Sequence, residues 1–385
     1  MKRRIIKTVL YAVFFLCLSW FLPGALPEVT NVQALQRNDG SMIVDISYDL
    51  SGGGSAGSMI IVEVSPDGGA SWKQCAPGEI AGDFGPEVLN GQNLQISWNA
   101  GESYPDEYWL NCLVKITARD ILVIMLPGEV PLKLVKIPSG TFTMGSPDTE
   151  RSRVAFEGPQ TEVTLTRDFY MGMYPITQQQ WLAIQNIWPE ISPLLEFGLG
   201  DNYPAYYVSW NDAQDFISLL NWYINATAQG PITVSLPTEA QAEYACRAGT
   251  NTRFYFGDSL SVNDSSTDGP TDSSQYPGNR SDYMWFNFNS GISSQQVGQK
   301  LPNAFGLYDM HGNIWEWVQD WWHSSYPGGS VTDPEGPLTG DYRVFRGGAY
   351  PISASGCRSA YRYYESSFAR DRLIGFRIIA TRPEL

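Results

Sequence analysis

LPNAFGLYDMHGNIWEWVQDWW, residues 301–322, and RVFRGGAY, residues 343–350, decide how this chain reads. The first packs four Trp, two Asp, one Glu and two Gly into twenty-two residues. It is too aromatic for a surface loop and too polar for a plain core, so it is expected to be buried and specific. Asp309 and Glu316 lie seven residues apart with Gly312 and Asn313 between them. A tight turn there would bring both carboxylates and two intervening carbonyls to one point, and hard oxygen ligands of that kind suit Ca²⁺. The same spacing also reads as a simple turn at Gly312-Asn313 leading into a strand, with Glu316 paired to a nearby arginine.

Outward from this segment, the chain begins with Lys2, Arg3, Arg4 and Lys7, an apolar run from Val9 to Leu22, then Pro23, Gly24 and Ala25. That three-part plan reads as a secretory signal over residues 1–25, too short in its apolar run for an ordinary span; an uncleaved anchor is the alternative. Cys17 lies mid-run without a lipoprotein context, so no lipid attachment is expected. The mature protein is therefore expected to be exported (periplasmic, cell-surface or secreted), with no membrane span once the signal is removed. The formal net charge is −15 at pH 7, and loss of the leader removes four positive charges and no negative ones. So acidic a surface argues against nucleic acid as a partner. The remaining roughly 360 residues are expected to form two domains.

Residues 28–120 read as an all-β sandwich. Val44, Ile46, Tyr48 and Leu50 alternate with polar neighbours, as do Ile60, Val62 and Val64, then Leu94, Ile96 and Trp98, then Val114, Ile116 and Ala118. Turn clusters separate them, SGGGSAGS at 51–58 and Pro66-Asp67-Gly68-Gly69. Trp72 and Trp98 are expected in the core. The module looks like the fibronectin or immunoglobulin-like modules of exported bacterial proteins, which act as spacers or adhesion units. Residues 121–132 open with the apolar ILVIMLP, a last strand or a linker.

Residues 133–382 read as a loop-rich α+β domain. One helix is expected after Thr177, with Gln180 completing a capping box; another from Asp212 to Asn225, with Ala213, Phe216, Ile217 and Leu220 on one face; a third from Thr238, with Gln241 three residues on. Residues 258–281 are expected to be surface loop.

LVKIPSGTFTMGSP (134–147), FYMGMYPIT (169–177), VSWNDAQDF (208–216), LPTEAQAEYACRAGT (236–250), GLYDMHGNIWEW (306–317), CRSAYR (357–362) and GFRI (375–378) follow one another here. In these motifs and their order the chain resembles the sulfatase-modifying factor, or formylglycine-generating enzyme, family. The resemblance implies a compact fold related to C-type lectins, held by buried aromatics, a disulfide and Ca²⁺. It assigns a calcium site to the side chains of Asp309 and Glu316 and the carbonyls of Gly312 and Ile314; the family's other calcium loop, between Trp285 and Val297, is shortened. It also supports a Cys246–Cys357 bridge, which parity and location suggest along with Cys75–Cys112.

The family's founding activity oxidises a sulfatase cysteine to formylglycine with O₂ and a copper ion held by two thiolates, because soft sulfur selects Cu(I). The position of the first thiolate is Ile352, an oxygen-pocket serine position is Ala349, and the segment that should carry the second thiolate runs straight into Cys357, which matches the structural motif. Copper and a catalytic set are therefore not expected. Only two His are present; His311 is expected to be structural, and no three-His iron site is available. Arg343, Arg346, Arg358, Arg362 and Arg377 crowd the last forty or so residues. They form either an anion-receiving groove, with Tyr350, Arg358 and Trp321 lining a pocket, or internal pairs with Asp320, Asp341 or Glu316. Two functions follow: a binding or accessory protein with a protein, peptide or glycan ligand, or the family's oxidase. A diverged enzyme with a new mechanism is a third reading.

Overall fold

The structure, a computed structural model, describes residues 26–70, 72–75, 78–103, 111–257 and 280–383. The expected leader and residues 258–279 of the expected loop lie outside the described residues. The chain divides into two compact units, Met1–Leu122 and Val123–Leu385.

In the first unit, alternation places every second side chain inward. Along Ile43–Ser51 the buried positions are Val44, Ile46, Tyr48 and Leu50, as the period of two demands. This strand pairs antiparallel with Glu28–Gln36 and with Gly91–Asn99, which pairs with Ile80–Gly82. A second sheet is built on Ser58–Ser65, paired with Leu113–Leu126, Lys73–Gln74 and Gly85–Val88. Ile60, Val62 and Val64 of that sheet share one core with Val44, Ile46, Tyr48, Ile96 and Trp98 of the other, so the two sheets form a sandwich. Trp98 is buried in it as expected, whereas Trp72 is half-buried beneath the Lys115 ammonium. The apolar 121–126 segment is the end of a fourteen-residue strand, Leu113–Leu126, so it is strand and not linker.

The second unit is ordered by capping and by buried aromatics. The helices Gln178–Gln185, Trp210–Ala226 and Glu239–Arg247 each start at a full capping box, Thr177/Gln180, Ser209/Asp212 and Thr238/Gln241. Trp210–Ala226 buries Ala213, Phe216, Ile217, Leu220 and Ile224, a helical stripe that meets Trp181 and Phe376 through Phe216. Val130–Ile137, Phe169–Gly172, Ile379–Thr381 and Thr233–Ser235 lie side by side, antiparallel from one to the next. A small sheet joins Gly140–Met144, Thr161–Leu165 and Gly329–Thr332. The sheet that carries the deciding stretches has Trp315–Trp321 between Arg343–Arg346, antiparallel, and Ile374–Phe376, parallel; Arg362–Glu365 extends it. Arg280 and Ser281, expected in a loop, open the short helix Arg280–Tyr283. Among the described residues no helix is long and apolar enough to cross a membrane.

The two stretches quoted first are bonded to each other. Gly312 N–H donates to the Gly347 carbonyl at 2.7 Å and Tyr350 N–H to the Asn313 carbonyl at 2.9 Å. Gly312 has a φ of +75°, and a Cβ there would stand 2.0 Å from the Trp285 carbonyl oxygen. Gly312→Ala is therefore expected to lose about 2–4 kcal/mol in urea unfolding, overpacking added to left-handed strain. Gly128 has the same φ of +75° with nothing within 4 Å of a Cβ, so Gly128→Ala isolates the strain and is expected to lose less.

Candidate functional site

The Asp309 turn is buried, and its two acids have different surroundings. Glu316 faces Arg377, whose Nε and Nη2 reach its two oxygens at 3.0 and 2.9 Å. The rest of that guanidinium donates to the carbonyls of Gly172, Met173 and Tyr308. The second reading of the spacing, a turn into a strand with Glu316 paired to an arginine, thus describes Glu316. Asp309 has weaker support: Oδ2 accepts from Gly298 N–H at 2.7 Å and Oδ1 from the Asn313 amide at 3.5 Å. Burial, aided by the Glu316 charge, pushes its carboxyl up to about 6 despite the Gly298 bond. Among the described residues no group of three or more His, Cys, Asp or Glu gathers to hold a metal ion, and a cation at this turn would rest on Asp309. Glu316 would have to share its oxygens with Arg377, and the Gly312 carbonyl already accepts from Ile314 N–H at 2.8 Å.

The copper positions lie in an apolar cluster. Phe254, Met284, Phe286, Ala354 and Cys357 are buried together, with Ile352 and Phe256 packed against them, and Ala349 is fully buried. All four cysteines of the described residues stand as thiols. Cys246 is not bonded to Cys357; its thiol donates to the Met310 carbonyl at 3.6 Å and its sulfur lies 3.8 Å from the ring nitrogens of His311. Burial pushes the Cys246 thiol up to about 12, which withholds a thiolate. Cys75 and Cys112 share the sandwich core; burial raises both, with the Glu79 charge and then the Cys112 thiol adding at Cys75.

His311 is structural, as its place in the turn suggested. Nε2 accepts from Tyr255 N–H at 3.2 Å, so Nδ1 carries the proton and donates to the Cys357 carbonyl at 2.7 Å. Burial lowers its pKa to about 3, and it stays neutral.

Of the two readings of the arginines, the internal one describes their contacts, because each guanidinium is engaged inside the fold. Arg346 bonds Glu239 at 2.6 Å and Glu243 at 2.5 Å; Arg362 bonds Glu239 at 2.6 Å. Arg358, expected to line a pocket, is 1% exposed and held by Glu157 and Glu150. Arg343 is sandwiched 3.6 Å from the Trp210 ring and 3.4 Å from that of Trp321. Tyr350 is fully buried. Of the three residues expected to line a pocket, Trp321 lines a cavity of about 710 Å³ together with Glu239, Asp320, Tyr326 and Arg362, and Arg358 lines a small one of about 20 Å³. The named partners Asp320 and Asp341 give way to Glu239, Glu243, Glu150 and Glu157, which the sequence reading did not single out.

A family model described as "Sulfatase-modifying factor enzyme 1-like domain" matches residues 129–382. The chain belongs to the sulfatase-modifying factor family. The formylglycine-generating enzyme of Mus musculus is 28% identical over 294 residues, 61% of this chain and 71% of that one. Among solved structures, Treponema denticola variable protein 1 is similar with a TM-score of 0.54 and 25% identity, covering 68% of this chain and 99% of that one. PvdO from Pseudomonas aeruginosa is similar with a TM-score of 0.53 and 26% identity, over 67% and 97%.

Within this family domain, Asp320 stands out electrostatically. Its Oδ2 accepts the Glu239 N–H at 2.6 Å at the start of the helix Glu239–Arg247. Burial, with the Glu239 charge added, pushes its carboxyl up to about 7. A carboxyl raised in the folded state favours folding when protonated. Its contribution is complete below about pH 4, the unfolded value, and is lost as pH rises through about 7. Asp320→Asn keeps an acceptor for Glu239 N–H and cannot ionise. Its urea-unfolding free energy is expected to match the parent near pH 4 and to exceed it by up to about 4 kcal/mol at pH 8. Parallel pH profiles for the two would show that Asp320 carries no such penalty.

Proposed function

We propose that the chain is an exported member of the sulfatase-modifying factor family that acts as a binding or accessory protein, without copper oxidase activity, on a protein, peptide or glycan ligand. The observation that carries this is the apolar cluster at the copper positions. Ile352 stands at the first thiolate position, and the nearest sulfur in sequence, Cys357, is fully buried among Phe254, Met284 and Phe286. The family's Cu(I) site needs two accessible thiolates, and this buried cluster offers one thiol. Similarity to proteins named as a variable protein and as PvdO supports a role for the fold beyond formylglycine generation. The N-terminal sandwich is read as a spacer of fibronectin or immunoglobulin type.

The competing reading, an oxidase that converts a sulfatase cysteine to formylglycine, is favoured by similarity to enzymes of that name. Incubating the mature protein with copper, O₂, a thiol reductant and a Cys-x-Pro-x-Arg peptide separates the two. The peptide mass is expected to stay that of the thiol; conversion to the aldehyde mass would restore the oxidase.

Calcium enters the proposal as a structural ion at the Asp309 turn. Millimolar Ca²⁺ is expected to raise the Tm of the parent protein by a few degrees and to leave Asp309→Asn unmoved. Equal melting with Ca²⁺ and with EDTA would remove the ion and leave Glu316 to Arg377 alone.

A further inference from the structure

The 710 Å³ cavity shares no lining residue with the copper positions or the Asp309 turn. Met144, Val163 and Val331 contribute apolar wall, and so do Pro327, Pro334 and Pro337. Its volume falls in the range of ordinary small-molecule sites, roughly 300–1,000 Å³. What distinguishes it is the balance of its polar groups. Glu239 Oε1 accepts from Tyr326 Oη at 3.0 Å and Arg346 Nη1 at 2.6 Å, and its Oε2 from Arg362 Nη2 at 2.6 Å. Arg362 also donates to the carbonyls of Phe156 and His323. Glu239 is satisfied by these donors, whereas Arg362 Nε has no hydrogen-bond partner among the described residues and its guanidinium lies against the Trp322 and Tyr326 rings.

Asp320 is not satisfied as Glu239 is. It is 5% exposed, yet only Oδ2 accepts a hydrogen bond, and Oδ1 receives none among the described residues. Neither oxygen has a guanidinium or ammonium in contact there. The loop over Oδ1 is kept open by Gly336, where a Cβ would stand 2.7 Å from that oxygen. The exposed Glu335 adds a second acid to the lining without a cation beside it. Arg362 and Arg346 act on Asp320 only from beyond contact, and a buried carboxylate with no cation in contact is costly, as its rise to about 7 shows. A ligand that brings a cationic donor removes the cost, and the apolar walls favour a hydrocarbon body behind it.

We propose that this cavity is a binding site for a primary ammonium group on an apolar body, received by Asp320 Oδ1. The chemistry is shared by a free alkylamine and by a lysine side chain presented on a peptide. The site is independent of the copper question, since an oxidase and a binding protein would both carry it.

The test is titration of the mature protein with n-pentylamine, with its neutral counterpart 1-pentanol, and with a short acetylated peptide bearing one lysine, followed by calorimetry and ligand-observed NMR. Pentylamine is expected to bind the parent at least about tenfold more tightly than pentanol, the least that one charge-assisted bond should supply. Asp320→Asn is expected to lose that preference. Val331→Phe, which fills the cavity from a strand position where an aromatic is at home, is expected to lose binding of both while keeping the parent's Tm. Val331→Phe and the amine-to-alcohol ratio decide the matter if Asp320→Asn fails to fold. Tighter binding of the peptide assigns the site to lysine side chains, and tighter binding of pentylamine assigns it to small amines. Equal affinity for amine and alcohol, an unchanged amine affinity in a folded Asp320→Asn, or no binding by the parent at about 10 mM, well above the affinity such a contact should give, overturns the proposal.

Discussion

Glu239 is the point on which the family domain depends. It is 3% exposed at the first turn of its helix, and two guanidiniums, from the strand Arg343–Arg346 and from the start of Arg362–Glu365, converge on its carboxylate. Burial alone would raise its pKa; Arg362 and Arg346 outweigh burial and hold it below the usual range. Removing one partner of such a set leaves a buried charge unmatched, at about 3–5 kcal/mol. Glu243, one helical turn on, takes the other arm of Arg346 and also Arg247. Two carboxylates on one helix face thus fix where the last third of the chain must lie.

The same arrangement explains why two acids a few ångströms apart behave in opposite ways. Glu239 keeps its charge because two cations meet it. Asp320 touches the same helix start through a single backbone N–H, and the Glu239 charge adds to its burial. Compensation goes to one member of the pair, and the other carries the electrostatic cost.

What was legible in the sequence was what local chemistry decides. Capping boxes act over three residues, so Thr177 and Thr238 announced their helices, while the Ser209/Asp212 box that starts Trp210–Ala226 was passed over. Alternation acts over two, so Val44, Ile46, Tyr48 and Leu50 announced their strand. The arginines were legible as a crowd but not as pairs. Arg358 reaches Glu157 across 201 residues and Arg346 reaches Glu239 across 107, separations at which no spacing rule operates. The cysteines show the same limit: parity and the family resemblance proposed Cys246 with Cys357, whereas the Cys246 thiol turns to the Met310 carbonyl and His311. The turn at Asp309 was legible as a turn, and its two readings differed only in the partner of Glu316, which Arg377 supplies from 61 residues away.

The cavity was legible only at Trp321, because the fold draws its lining from residues 144, 163, 239, 320–337 and 362, far apart in sequence. Where most buried acids of the domain are met by arginines, a carboxylate oxygen that accepts no hydrogen bond among the described residues, at the lining of a cavity, asks for a partner. Sites where local rules are broken while the surrounding frame obeys them are where function is expected. In this fold the frame is the Glu239 network, the broken rule is Asp320, and the apolar cluster at Ile352 and Cys357 breaks none. The search for a ligand therefore belongs at Asp320 rather than at the positions where the family's oxidases do their chemistry.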